Sequence, residues 1–148
     1  MADGRFANPQ GGTTIKAVSL ILRLVVGGVF IAAGVLKVLQ PATFAADIGN
    51  YRLLPHEAIN LLAITLPWIE VVAGLLLVLG AWRRASASMI AVMLIVFLLA
   101  IGQALARGLD VRCGCFGTVE ARKVGLLALG QDTALLAMAA WLVWQEKD

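Results

Sequence analysis

Charge is the first thing this chain has little of. Only 14% of its 148 residues are Asp, Glu, Lys or Arg, against 61% apolar, which is outside the balance of a water-soluble domain. A mean hydropathy of +0.91 says the same, and the chain reads as an integral membrane protein. Histidine is scarcer still, with His56 the only one. Two cysteines and one histidine fall short of a four-ligand zinc shell, which makes a metal centre the weakest reading of the cysteines. The formal charge of +3 sits on loops and helix ends. It speaks for topology and lipid contact, with no case for nucleic acid. No internal repeat suggests the inverted halves of a transporter, and few polar residues could line a path.

Long apolar runs are plentiful. Residues 15–39, 59–80, 85–105 and 124–144 are each long enough to span a bilayer, which needs roughly 20 residues. The predicted fold is all-α: a four-transmembrane-helix bundle in one domain over 15–145, preceded by a polar tail over 1–14 that is expected to be disordered or surface-lying. The first run exceeds a signal-peptide core and lacks a clear cleavage site, so it reads as an uncleaved membrane helix ended by Pro41. Residues 40–57 interleave Phe44, Ile48, Tyr51, Leu53 and Leu54 with Asp47, Arg52 and His56. Their spacing fits about two turns of interfacial helix ending near Pro55, a lid built on Tyr51, Arg52 and Pro55. A solvated loop with an aromatic anchor is the plainer alternative. Small residues one turn apart, such as Gly28 with Ala32 and Gly130 with Ala134, allow close helix packing.

The polar break between the last two runs holds both cysteines, in Asp110-Val111-Arg112-Cys113-Gly114-Cys115-Phe116-Gly117. Arg107, Arg112, Arg122 and Lys123 surround them, and nearby cations favour thiolate over thiol. A disulfide across one residue is strained, which suits exchange chemistry better than stapling. Three readings stand: a redox pair at Cys113 and Cys115, inert or structural sulfur, and a metal site completed by His56. His56 is also a candidate base toward the thiols.

Charged residues at membrane depth are functional candidates. Arg23, Glu70 and Asp132 lie inside spans. Counting rise along each helix puts Arg23 and Glu70 within side-chain reach of one another, at roughly 24 and 17 Å below the helix ends nearest the cysteine break. An Arg23 to Glu70 ion pair is expected, and Glu70 is a candidate proton carrier toward the thiols. Lys37, near a helix end, is expected to snorkel to the interface.

The Cys113-to-Gly117 stretch, Tyr51-Arg52-Leu53-Leu54-Pro55, Leu66-Pro67-Trp68-Ile69-Glu70, the 74–80 run and Ala33-Gly34-Val35-Leu36-Lys37 together resemble the methylamine utilisation protein MauE family, within the wider DoxX-like group. The resemblance runs from about residue 20 to 136. It implies an inner-membrane protein that serves maturation, transport or disulfide formation of the methylamine dehydrogenase small subunit in the periplasm. It puts the redox role on Cys113 and Cys115 and pattern positions on Glu70 and Lys37. The implied partner is that subunit or a thioredoxin-like periplasmic protein. DoxX-like relatives bring quinone in as an acceptor, although no cofactor is firmly implied.

Two functions from different classes follow. One is a thiol-disulfide relay; the other is a non-enzymatic anchor whose cysteine loop docks a periplasmic partner. Orientation is not fixed by charge, because the 12 lysines and arginines divide evenly between the two faces. The expected topology places both termini in the cytoplasm and the cysteine loop in the periplasm, where thiol oxidation persists.

Overall fold

The computed structural model describes residues 9–108 and 126–145. Among them there are five α-helices and no strand: α1 (Pro9–Leu39), α2 (Pro41–Asn50), α3 (His56–Leu79), α4 (Arg83–Ala106) and α5 (Leu126–Gln145). Three helices are long and apolar enough to cross a membrane: α1 over Gly11–Leu39, then α3 and α4. Their outward faces carry Leu61, Val72, Val92 and Leu99, so the apolar surface faces away from the core, as lipid requires. Of the predicted bundle of four spans, three described helices thus have the length and apolarity to cross, and α5, a 20-residue helix, packs on α4 and touches α1.

The helix boundaries differ from the sequence reading in instructive places. The tail predicted over 1–14 is already helical from Pro9. Proline suits the first turn of a helix, where its missing N–H has no partner to lose, and propagation from a long apolar run adds one bond for each residue fixed. Pro41 does end α1, and it then takes the first turn of α2. The interfacial helix is consequently longer than two turns. Arg52 follows it in the left-handed region at φ 54°, breaking the helix so that the chain can turn into α3.

Neighbours in sequence are not the best-packed neighbours in space. The tightest pair is α1 with α3, where a Cβ on Gly27 would stand 2.8 Å from the Gly74 carbonyl oxygen and one on Gly34 would stand 2.8 Å from that of Pro67. Only glycine lets the two backbones come this close. The small-residue pairs expected from sequence are not all used: Gly28 and Gly130 have nothing near enough to meet a Cβ. The working small residues are Gly27, Gly34 and Gly74, together with buried Ala87 and Ala104 on α4.

Candidate functional site

The glycine contacts fix an antiparallel register that places position 23 opposite position 78. Arg23 accordingly donates from Nε to the Leu77 carbonyl at 2.9 Å and from Nη2 to the Val78 carbonyl at 3.2 Å. The last carbonyls of a helix have no partner within it and carry partial negative charge, so a buried guanidinium is well matched there. Gly80 completes this helix end at φ 77°, and any side chain there would collide with the Arg23 guanidinium. The expected Arg23 to Glu70 pair does not form. Rise along separate helices gave the right depth without the register, and the register sends Arg23 to the end of α3.

Glu70 pairs instead with Lys37, whose Nζ lies 2.7 Å from Oε1. Both side chains are buried, at 2% exposure for Lys37 and 1% for Glu70. The expectation that Lys37 snorkels fails because α2 folds back over this end of α1. Phe44 on α2 and Phe97 on α4 set their rings 4.9 and 5.1 Å from Nζ, so the ammonium is held by one carboxylate and two aromatic faces. Pro67, one turn before Glu70, is buried against α1. Its role is one of packing beside the pair.

Asp132 on α5 is fully buried and lines, with Glu70, a cavity of about 10 Å³ walled by Val29, Phe30, Leu94 and Phe97. Three of the four charged residues singled out within the spans thus meet around one point: Lys37 from α1, Glu70 from α3 and Asp132 from α5. Arg23 is elsewhere, at the far end of α3.

On the other side of Phe97 lies a groove of about 360 Å³ between α3 and α4, roofed by α2 and the turn after it. Asp47, Tyr51, Leu53, Leu54, Met93 and Phe97 are among its walls. Tyr51 packs against Ile101 and Ala104 of α4 with Leu129 of α5, and Arg107 donates to the Tyr51 carbonyl at 3.5 Å. The lid residues therefore separate: Tyr51 closes onto α4, while Arg52 and Pro55 are exposed. His56 is exposed at the start of α3. Arg112, Cys113 and Cys115 lie outside the described residues, as do Arg122 and Lys123.

Sequence reasoning missed Asp47, buried at 5% exposure, and the aromatic pair around Lys37. Asp47 sits three residues after Phe44 and four before Tyr51, on the apolar face of α2 rather than the polar one. That spacing was the available signal.

With this geometry in view, the methylamine utilisation protein MauE family matches residues 15–145, nearly the whole chain. The chain belongs to the MauE family. MauE relatives similar to it include a methylamine utilization protein MauE of Methylorubrum extorquens, 29% identical over 93% of this chain and 71% of the relative. Another, from Paracoccus denitrificans, is 29% identical over 80% of this chain and 64% of the relative. A third, from Methylophilus methylotrophus, is 27% identical over 84% and 67%. This chain therefore spans about two thirds of the length of these MauE relatives. No solved structure matches it significantly.

Proposed function

We propose that this MauE family member is a membrane thiol-disulfide redox protein that supports maturation of a periplasmic client, of which the methylamine dehydrogenase small subunit is the natural candidate. Its reacting atoms are the sulfurs of Cys113 and Cys115, with Arg112 and Arg107 favouring the thiolate. In this reading α5 is the fourth crossing of the bacterial inner membrane, both termini are cytoplasmic, and the cysteine stretch faces the periplasm with Tyr51, Arg52 and Pro55 beside it.

The observation that carries the reading is where the cysteine-bearing stretch departs and returns. On one flank Arg107, just after α4, donates from its guanidinium to the Tyr51 carbonyl, and on the other Leu129 of α5 packs in the same cluster as Tyr51. Asp132 lies one turn further along α5, on the wall of the cavity it shares with Glu70. Thiol chemistry at this end of the bundle would have buried ionisable groups directly beneath it.

Forming one disulfide from two thiols releases two electrons and two protons. A quinone, when bound, would take up both and become the quinol. The groove under α2 fits such a group in size and in its apolar lining: about 360 Å³ is in the range of small-molecule sites. Phe44, Phe97, Tyr51 and Asp47 are among its walls, and the exposed lining is almost wholly apolar. These residues would hold and orient the ring and keep water from it.

The test is the thiol state of the client in cells that carry Cys113→Ser or Cys115→Ser. A relay predicts that the client accumulates with free thiols in both variants while the membrane protein itself is present at normal level. A client that is oxidised and assembled as in the parent strain would instead support the anchor.

A further inference from the structure

Glu70 has two carboxylate oxygens, and the ion pair uses one. Oε1 accepts from Lys37, whereas Oε2 is buried with no hydrogen-bond partner among the described residues. An ionised oxygen left unbonded in a dry interior is costly. The space beside it is the cavity of about 10 Å³ that Glu70 lines with Asp132, the least room that accepts a water, and a buried water needs two or more polar partners. Two carboxyl groups supply them.

We propose that this cavity is a proton-binding site, in which one water bridges Glu70 Oε2 to the Asp132 carboxyl and the bridge holds one exchangeable proton. The described residues of the neighbouring helices contribute as follows. From α1, Lys37 is committed to Oε1. From α4, the wall is Leu94 and Phe97, both uncharged. From α2, Asp47 lines the separate groove on the far side of Phe97. From α5 comes Asp132, fully buried. Two ionised carboxylates on the wall of one small cavity repel where little solvent screens them. A proton on the bridge removes that repulsion, converts Oε2 from an orphan acceptor into a member of a hydrogen-bonded chain, and leaves the Lys37 pair intact. The ligand is a hydron delivered through water, and binding it requires no thiol. The site therefore stands apart from the redox reading.

The experiment is infrared spectroscopy of the full-length protein in lipid bilayers near neutral pH, comparing water with D2O. The expected result is a carbonyl stretch from a protonated, buried carboxyl that shifts down in D2O and fades reversibly as pH is raised. It should vanish in Glu70→Gln and in Asp132→Asn, and persist in Asp47→Asn and in Cys113→Ser. Persistence in the cysteine variant separates this site from the thiol chemistry. A parent protein with no such band overturns the proposal without reference to any variant, so misfolding of the variants does not shield it. A band that disappears in Asp47→Asn, or survives both Glu70→Gln and Asp132→Asn, overturns it equally.

Discussion

The two seams made by α3 differ in kind. Against α1 it packs backbone to backbone through Gly27, Gly34 and Gly74. Against α4 it leaves two grooves, one of about 360 Å³ under α2 and one of about 400 Å³ lined by Trp68, Val72, Trp82 and Met89. The two buried cations among the described residues, Arg23 and Lys37, belong to the tight seam. A charge in the membrane has to be met by a partner at fixed distance, and a glycine-set interface fixes distance; a seam of large side chains leaves room. The lesson is a division of labour in which α1 and α3 hold the charges while α3 and α4 offer space.

The largest effect should come from breaking the pair that the tight seam positions. Glu70→Ala leaves the Lys37 ammonium buried beside Phe44 and Phe97 with its carboxylate gone, a loss of about 3 to 5 kcal/mol. The double change Lys37→Met with Glu70→Leu should recover most of it, as measured by thermal unfolding in detergent. Arg23→Gln combined with Glu70→Ala should add without coupling, because the two are not partners.

Next come the glycines. Gly34→Ala or Gly74→Ala forces a methyl group toward a facing carbonyl and should cost about 1 to 3 kcal/mol, while Gly28→Ala, with nothing near its Cβ, should change stability by less than about 0.5 kcal/mol. Equal losses at Gly28 and Gly34 would contradict the register itself. A smaller effect is expected at the end of α3. Gly80→Ala meets both a left-handed φ and the Arg23 guanidinium, and should cost about 1 kcal/mol or somewhat more. The smallest belongs to the open seam: Ala100→Leu, which fills part of the groove under α2, should stay within about 0.5 kcal/mol in the same unfolding measurement.

Much of this fold was legible before any coordinates. Apolar run length located α1, α3 and α4, and the break at Pro41 and the turn at Arg83 were readable from residue type. The pairing of charges was not. Helices that are apolar all round give little periodicity to orient them, so Arg23 and Glu70 could be matched only by depth. The orienting signal on α1 was the stripe of polar and small residues at Arg23, Gly27, Gly34 and Lys37, which all proved buried, rather than any alternation of apolar with polar. Lys37 was misplaced for a related reason. A lysine near a helix end reaches water unless another element covers it, and the cover is α2, whose Phe44 comes from outside the span. Asp47 was legible only as one of the polar residues interleaved along 40–57, yet its spacing from Phe44 and Tyr51 puts it on the buried face.

The central functional claim concerns sulfur, and it is tested most directly by labelling Cys113 and Cys115 in sealed, right-side-out spheroplasts with a membrane-impermeant maleimide. The account predicts no labelling of the resting protein and labelling of both cysteines after a mild reductant, with Cys113→Ser leaving Cys115 reactive without reductant. Labelling only after the membrane is broken, or none under any condition, would contradict it.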